Sequence, residues 1–468
     1  MTRLRLALSF AAAGAATLVA TAGPVGPQTS PPQTRPASQQ PPPQQPREVF
    51  VPIVGEIGAP PRLAVARFLA LTPDKDTEAV ADAISSVLFD DLQFEREFYM
   101  IPQDVVGTVP RPRSIDDTQF DRWREIGADG VIIGTVRKTD RGLSVQVRML
   151  SVRGKESAFG KEYSGTSANS RLYAHTIADE IHQQQRRLRG VARTKLAFSS
   201  DRDGERVRGP VADRAVKEIY ISDYDGANQR RITATLGLNS FPVWSADSRA
   251  IAYTSWRQGF PNIFISRIYE TGSPTTPAGG SFAQQNYLAA WSADGTKIAF
   301  TSSRDGNPEI YVMNADGTGL RRLTSNPASD ITPTWAPTGA QLAFTSDRTG
   351  SPQIYVINAD GTGLRRITFE PYCDRPTWSP APFNEIAYSS RTGPGHDIKV
   401  YSFSTGQSRQ LTFGEGTNES PAFAPNGRHL AFATTRWGKY QIAVVGRDGN
   451  VVRQLTRAGN NYAPNWSQ

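Results

Sequence analysis

A repeat of 43 to 47 residues occupies the C-terminal part of this 468-residue chain. Two consecutive copies, 291–324 and 335–368, read WSADGTKIAFTSSRDGNPEIYVMNADGTGLRRLT and WAPTGAQLAFTSDRTGSPQIYVINADGTGLRRIT. The copies share an aromatic anchor, at Trp244, Trp291, Trp335, Trp378, Phe423 and Trp466. A period of this length with several short strands in each copy is typical of a propeller or another closed array.

Each copy predicts four strands, and six copies predict an all-β six-bladed propeller. The apolar second strand occurs at 196–198, 251–253, 298–300, 342–344, 386–388 and 430–432. The first copy has no anchor before it, and Trp466 has no second strand after it. Because these half-blades complete one another, we expect the last strand to pair into the first blade and remove an exposed edge. A solenoid would need two distinct capping repeats, which we do not find.

A loop with an arginine, and a glycine two residues later, follows the second strand in every copy. The arginines are Arg202, Arg257, Arg304, Arg348, Arg391 and Arg436. Because they repeat with the fold, we predict a structural role, as hydrogen-bond donors from blade to blade. The one cysteine, Cys373, is predicted to be an inert blade residue. Function must then come from positions that vary between copies.

The N-terminus has the pattern of an exported protein. Residues 1–22 combine a basic start, an apolar alanine-rich core and a final Ala-Thr-Ala, which is typical of a secretory signal peptide. An uncleaved membrane anchor is the alternative, but the apolar core is short for a spanning helix. Residues 23–47 are rich in proline and glutamine and predict a flexible linker.

Residues 48–190 predict an α/β domain with a small mixed sheet and helices, ahead of the propeller at 191–468. We predict strands at 63–68, 98–101, 131–136, 143–152 and 159–163, and helices at 76–95, 120–126 and 170–188. The helix at 76–95 has apolar residues at helical spacing, and the segments 131–136 and 143–152 are expected to form a hairpin.

Catalytic motifs are missing from the sequence. It has no G-x-S-x-G elbow, phosphate-binding loop, dinucleotide fingerprint or calcium-loop ligand ladder. His175 and His182 are seven residues apart on one predicted helix, but without a third ligand we interpret them as solvated helix residues. The net charge of +8 is spread along the chain and forms no basic stripe, which disfavours nucleic-acid binding. We therefore predict no catalytic residue, no metal site and no cofactor.

The residues just before each anchor are the candidates for binding. All six connections between blades should meet around one mouth of the central channel. Five positions before the anchor the residues are mostly Asn or Asp, whereas three and four positions before it they vary. Mixed aromatic, acidic and apolar side chains around a concave mouth suit partner capture. The predicted partner-binding residues are Tyr287, Leu288, Ile331, Thr332, Asp374, Arg375, Glu419 and Tyr462.

Four further segments are specific: IGADGVIIGTV at 126–136, LYAHTIADE at 172–180, KLAF at 195–198 and ISDYDG at 221–226. With these segments, the sequence from residue 48 onward resembles the TolB family, the periplasmic component of the Tol-Pal envelope system. The propeller repeats alone would be less specific, because many unrelated propellers share them. An α/β domain in front of six repeats makes the match specific.

The resemblance implies a non-enzymatic periplasmic scaffold that supports outer-membrane integrity and constriction at cell division. It implies that the propeller mouth binds Pal, a peptidoglycan-associated lipoprotein. It also implies that an N-terminal segment, the TolB box, engages TolA, a partner anchored in the inner membrane. The box corresponds here to 48–61, with partner-binding residues Val49, Phe50, Val51, Ile53 and Val54. A short apolar strand of this kind can dock on its own domain or add to a partner's sheet.

We expect a monomer that is peripheral to the membrane and binds no nucleic acid. One departure from the family is the Pro/Gln-rich segment that precedes the box here, since the family's box begins close to the mature N-terminus.

Two other functions stay open. One is a TolB-like propeller that binds a glycan or peptide in another assembly, and the other is an exported propeller enzyme with a channel metal.

Overall fold

The computed structural model describes residues 51–55, 58–207, 214–270, 284–450 and 452–468. The predicted signal peptide (1–22), the predicted linker (23–47) and the box residues Val49 and Phe50 lie outside the described residues. An N-terminal α/β region is followed by a six-bladed β-propeller that begins at Lys195. The predicted fold class is thus confirmed.

The described N-terminal region has six strands and four α-helices. In chain order they are β1 (Arg62–Val65), β2 (Leu69–Ala70), α1 (Lys75–Glu95), β3 (Tyr99–Met100), α2 (Gln103–Val106), α3 (Phe120–Glu125), β4 (Gly130–Thr139), β5 (Gly142–Ser151), β6 (Glu156–Gly165) and α4 (Ser170–Ile181). A 3-10 turn at Ser167–Asn169 precedes α4, and a π-helical turn at His182–Arg186 follows it.

The N-terminal sheet is mixed and is covered on both faces. Its order is β3-β1-β4-β5-β6, and β2 also pairs with β4. β1 runs parallel to β3 and β4, whereas β4, β5 and β6 are antiparallel. Ile84 of α1 and Ile177 of α4 are fully buried in one core, and Trp123 of α3 lies in a second core with Ile133. The first seven residues of β4 are therefore all buried.

The bounds of α1 follow from its flanking residues. Asp74 is extended, and its carboxylate accepts a hydrogen bond from the Thr77 amide at 2.9 Å. This cap satisfies one of the free amides of the first turn. Arg96 adopts a left-handed conformation with φ of 60° and ends the helix. The helix predicted at 76–95 agrees within one residue.

The described propeller strands follow the repeat. They are β7 (Lys195–Ser200), β8 (Arg206–Val207), β9 (Arg214–Ala215), β10 (Glu218–Asp223), β11 (Arg230–Arg231), β12 (Asn239–Trp244), β13 (Ala250–Ser255), β14 (Asn262–Arg267), β15 (Asn286–Trp291), β16 (Lys297–Ser302), β17 (Glu309–Asn314), β18 (Arg321–Arg322), β19 (Asp330–Trp335), β20 (Gln341–Ser346), β21 (Gln353–Asn358), β22 (Arg365–Arg366), β23 (Cys373–Trp378), β24 (Glu385–Arg391), β25 (His396–Ser402), β26 (Gln407–Gln410), β27 (Asn418–Phe423), β28 (His429–Trp437), β29 (Lys439–Gly446), β30 (Arg453–Gln454) and β31 (Asn461–Trp466).

The ring closes by pairing the last strand with the first. Blade 1 has the order β31-β7-β10-β11, and β31 lies antiparallel to β7 with Asn461 opposite Ser200. Blade 2 contains β12 to β14, and blades 3 to 6 contain β15–β18, β19–β22, β23–β26 and β27–β30. The predicted closure is therefore present. It removes the free edge that an open array would expose.

Hydrophobic cores lie between neighbouring blades. In one of them Ile310 of blade 3 packs with Phe344 and Trp335 of blade 4, and similar clusters join the other blades. The second strands are buried on both faces, as Phe300, at 0% exposure, illustrates. This burial explains why the second strand reads as a short apolar run in all six copies.

The repeated arginines bond within their own blade. Arg202 donates to Asn461 at 2.7 Å, Arg304 to Asn286 at 2.9 Å and Arg348 to Asp330 at 2.7 Å. Each acceptor starts the first strand of the same blade. For these three arginines the blade-to-blade prediction was wrong. The loop folds back over its own sheet because the glycine two residues later takes a positive φ.

Candidate functional site

The propeller has two ends with different loops, because strands within a blade alternate in direction. The anchor end carries the anchors and the hairpins that join first to second and third to fourth strands. The open end carries the arginine loops and the connections from one blade to the next. The eight predicted mouth residues lie at the open end, near the start of the first strands.

The N-terminal region packs on the anchor end at blade 1. Asp91 of α1 is buried and accepts hydrogen bonds from Tyr224 at 2.6 Å and from His175 of α4 at 2.8 Å. Arg171 reaches Asp225 at 2.7 Å, and Asp223 lies 3.9 Å from the other His175 ring nitrogen. Burial disfavours the charged imidazole, but Asp223 and Asp91 outweigh it and raise the pKa of His175 to about 9. The network therefore joins both parts of the protein through Asp91–Tyr224 and Arg171–Asp225, with His175 packed between them.

A second contact joins α1 to blade 6. Glu95 is 5% exposed and forms an ion pair with Arg428, which also reaches Glu97 at 2.6 Å. The other Glu95 oxygen accepts a hydrogen bond from the Val191 amide at 2.8 Å. Burial raises the pKa of Glu95 to about 7, and Arg428 opposes that shift. This carboxylate thus links the helix, the interdomain segment and the propeller.

The interpretation of His175 and His182 as solvated helix residues was wrong. They are 4% and 1% exposed, because His175 lies against Asp91 of α1 and Tyr224 of the propeller and His182 packs on Phe98. Burial lowers the pKa of His182 to about 4, and it lowers that of His429, which stacks on Phe94 at 4.6 Å, to about 3. Among the described residues no group of three or more His, Cys, Asp or Glu could hold a metal ion.

The open end contains a ring of six backbone bulges. The residue three positions before each anchor has a left-handed φ between 47° and 56°, and none of the six is a glycine. These residues are Phe241, Leu288, Thr332, Arg375, Ser420 and Ala463. The strand register shifts at each of them. Bulges of this kind redirect side chains and are frequent at binding sites.

These bulges supply hydrogen bonds from blade to blade. The Leu288 amide donates to the Thr254 hydroxyl of the preceding blade at 3.1 Å. Thr332, Arg375 and Ser420 make the same bond to the hydroxyls of the blades before them, at 3.3, 3.2 and 3.1 Å. At the seam before blade 1 the equivalent residue is Ala433, which has no hydroxyl. Four of the six seams are therefore bonded at positions that also line the mouth, while the Ser199 hydroxyl at the seam before blade 2 has no hydrogen-bond partner among the residues that the structure describes.

One predicted mouth residue, Arg375, makes a contact that crosses the channel, and its neighbour Asp374 lies beside it. Tyr372 donates to the Asp374 carboxylate at 3.1 Å, and Arg375 lies 3.8 Å from the same carboxylate. The Arg375 guanidinium stands 4.7 Å from the ring of Phe241, on the opposite blade. Burial raises the pKa of Asp374, with Arg375 and Tyr372 opposing the shift. The centre of the mouth is thus spanned by a cation–π contact.

Two further predicted residues have defined partners at the open end. Glu419 pairs with His396 at 3.2 Å. Tyr462 packs on Tyr440 at 4.9 Å between ring centres, and the Lys217 ammonium lies 3.7 Å from its ring. These contacts place side chains of blades 5, 6 and 1 side by side around the channel.

The other predicted mouth residues come from blades 3 and 4. Tyr287, Leu288, Ile331 and Thr332 are half-buried at the equivalent ring positions. The Thr332 hydroxyl lies 2.7 Å from that of Thr345. The prediction left out Phe241 and His396. Phe241 occupies the same repeat position as Arg375, so the comparison of copies could have found it, whereas no local signal marks His396.

The described part of the box lies against the N-terminal region. Ile53 is 6% exposed, and its amide donates to the Gln185 side chain at 2.9 Å. Gln185 in turn donates to the Val51 carbonyl at 3.3 Å, while Val54 is 66% exposed. Residues 51–55 form no strand, which corrects the expected short strand. The side chain of Gln185 holds them instead of a sheet ladder.

The channel contains a cavity of about 250 Å³ on the side of the anchor end. Anchor residues such as Trp244 and Trp291 and prolines such as Pro333 line it.

Cys373 is fully buried, and burial raises its pKa to about 12, which agrees with an inert thiol. Within the described ranges, no helix combines the length and apolarity needed to cross a bilayer.

These features define a propeller protein whose N-terminal α/β region packs on the anchor end. Residues 186–468 match the family model of the TolB beta propeller domain, and residues 49–158 match that of the TolB amino-terminal domain. The propeller model alone covers more than half of the chain. The chain belongs to the TolB family.

Individual relatives agree with this assignment. The chain is 35% identical over 259 residues to the Tol-Pal system protein TolB of Anaeromyxobacter sp. (strain K), covering 54% of this chain and 53% of that protein. It is 32% identical over 212 residues to the protein of the same name from Desulfosudis oleivorans, covering 44% and 45%. The chain thus spans about half the length of the curated relatives it matches. The crystal structure of TolB from Acinetobacter baumannii has the same fold, with a TM-score of 0.73 over 87% of this chain and 97% of that chain at 23% identity.

Proposed function

We propose that this protein is a non-enzymatic periplasmic scaffold of the Tol-Pal system. In this proposal the propeller, 191–468, binds a Pal-like peptidoglycan-associated lipoprotein at the open end. The N-terminal domain, 48–190, presents the box to a TolA-like inner-membrane partner. The assembly supports outer-membrane integrity and constriction at cell division. Membership of the TolB family and the names of the relatives support this role.

The observation that carries the proposal is the different use of the two propeller ends. The hydrogen bonds and ion pairs between the N-terminal region and the propeller fall at the anchor end, as with Asp91–Tyr224 and Glu95–Arg428. The open end combines half-exposed polar and aromatic side chains with six bulged strands. A concave surface of mixed character around a channel mouth suits a protein partner.

Binding of the mature protein to the periplasmic domain of its own organism's Pal-like lipoprotein tests the proposal. We expect saturable binding that weakens at least about tenfold in Tyr287→Ala and in Asp374→Arg. Asp360→Arg makes the same charge change in an exposed hairpin at the anchor end and should bind as the wild type does. Binding that ignores both mouth variants would contradict the site. No binding by a folded wild type would favour a TolB-like propeller with a glycan or peptide ligand.

The proposed role of the box has a separate test. The segment at 51–55 is held through Ile53 and the two hydrogen bonds of Gln185. Gln185→Ala removes these bonds and should increase the fraction of molecules with a free box, and with it the binding of a TolA-like periplasmic domain. Unchanged binding together with unchanged protease sensitivity of this segment would argue against exchange of the box between its own domain and a partner.

A further inference from the structure

Three large aromatic side chains are exposed at the open end, where the Arg366 guanidinium lies 4.7 Å from the ring of Phe369 and that of Arg436 lies 5.6 Å from the ring of Trp437. Phe369 is 76% exposed, Phe413 72% and Trp437 42%. Phe369 and Phe413 each lie three residues after the end of the fourth strand, in blades 4 and 5, and Trp437 lies in the arginine loop of blade 6. We call these three residues the aromatic rim. Because burying a side chain of this size is strongly favourable, exposed copies in three consecutive blades call for an explanation.

The other repeat copies show what the fold requires at these positions. Where blades 4 and 5 have Phe369 and Phe413, blades 1, 3 and 6 have exposed Ala234, Ser325 and Arg457. The blade 2 copy lies outside the described residues. Where blade 6 has Trp437, the other arginine loops have exposed polar residues, namely Asp203, Gln258, Asp305, Thr349 and Thr392. Small or polar residues therefore satisfy the fold, and the aromatic side chains are not needed for packing.

The aromatic rim is continuous with the predicted mouth. Phe369 begins the connection that reaches Asp374 five residues later, and Phe413 begins the one that reaches Glu419. Trp437 is tied to the second connection, because its neighbour Arg436 forms an ion pair with Glu415 at 2.7 Å. Each connection between these blades thus has an aromatic residue at its outer end and an acidic residue at its inner end.

We propose that the aromatic rim is an outer contact strip for the same folded protein partner that covers the mouth, and that it takes apolar side chains of that partner. This inference rests on the proposed function. A stable protein interface covers about 800 Å² and 20 to 30 residues on each partner, which eight half-buried mouth residues do not supply. A partner seated on the mouth must extend outward, and the aromatic rim makes blades 4 to 6 the favourable side.

The test is the affinity for the periplasmic domain of the organism's own Pal-like lipoprotein. The double variant Phe369→Ser, Phe413→Ser introduces the residue that blade 3 has at this position. We expect its dissociation constant to rise at least about tenfold with an unchanged melting temperature. Trp437→Thr, which copies two other arginine loops, should give a smaller rise of the same sign.

A matched control comes from the anchor end. Leu320 and Leu364 are 44% and 43% exposed in the third-to-fourth strand hairpins of blades 3 and 4. The double variant Leu320→Ser, Leu364→Ser should bind as the wild type does. An equal loss in both double variants would overturn the rim as a specific contact. Normal affinity in the rim variant, with binding lost in Asp374→Arg, would overturn the rim and leave the proposed function standing. No binding by the wild type would overturn both.

Discussion

The two ends of the propeller are built from the same six repeats but differ in how far their polar side chains are exposed to water. Where the N-terminal region meets the anchor end, its Asp91 and Glu95 are removed from water and paired across the contact with Tyr224 and Arg428. At the open end, acids such as Asp374 and Glu419 stay partly exposed. The anchor end is therefore a fixed joint because the N-terminal region supplies partners for its polar groups, whereas Asp374 and Glu419 remain accessible to the proposed partner. The predictions below test this difference, from the largest expected effect to the smallest.

Breaking the ion pair at the anchor end should have the largest effect on stability. Arg428→Ala leaves Glu95 buried without its cation, and we expect a loss of about 3 kcal/mol in the free energy of unfolding at pH 8. The loss should be smaller at pH 6, since the pKa of Glu95 is about 7 and the carboxyl group can take up a proton. Chemical denaturation at the two pH values measures both quantities. Equal, small losses at both would show that the joint does not depend on this pair.

The pH dependence of stability distinguishes the two histidines of α4. His175 has a folded pKa of about 9, above its unfolded value, so its contribution is complete below about pH 6.5 and is lost as the pH rises through 9. We expect the free energy of unfolding to fall by about 2 kcal/mol between pH 7 and pH 10. His175→Gln should flatten this part of the curve.

His182→Gln is the control for that experiment. Its pKa is lowered to about 4, so its contribution is lost as the pH falls from about 6.5 through 4, and the alkaline limb should keep its slope. An alkaline slope that persists in His175→Gln would assign the effect to another group.

The ring of bulges at the open end predicts an intermediate effect. Thr345→Val removes the hydroxyl that accepts from the Arg375 amide at 3.2 Å, and should cost about 1 kcal/mol. Ala433→Ser places a hydroxyl at the one seam where the repeat has an alanine, and should stabilise the propeller by a few tenths to about 1 kcal/mol. Thermal unfolding of both variants measures the two effects, which should have opposite signs.

The smallest effect is expected for an exposed ion pair at the open end. Arg436 bonds Glu415 at 2.7 Å, but the Glu415 side chain is 67% exposed. Glu415→Gln should cost less than about 1 kcal/mol, because water screens the pair. A loss in the free energy of unfolding as large as that of Arg428→Ala would contradict the proposed difference between the two ends. Denaturation of both variants in one buffer makes the comparison.

Much of the candidate site was predictable because it varies within a regular repeat. The anchors and strands recur at fixed spacing, so variable positions such as Asp374 and Arg375 could be identified by comparing the copies. His396 could not be found this way, since its partner Glu419 belongs to another blade. The burial of His175 was also not predicted. The segments 172–180 and 221–226, which carry the family resemblance, meet at the anchor end through His175, Asp223 and Tyr224.

The sequence by itself determined the number of blades, the way the ring closes and the limits of α1. These depend on local periodicity, a terminal half-repeat and capping residues, all of which are written in consecutive residues. Only the tertiary structure decided which propeller end is covered, that Arg375 reaches Phe241 across the channel, and that His175 is buried beside the carboxylates of Asp91 and Asp223. These features depend on groups far apart in the chain, whose distances and burial are set only when the ring is closed and the α/β region has packed against it.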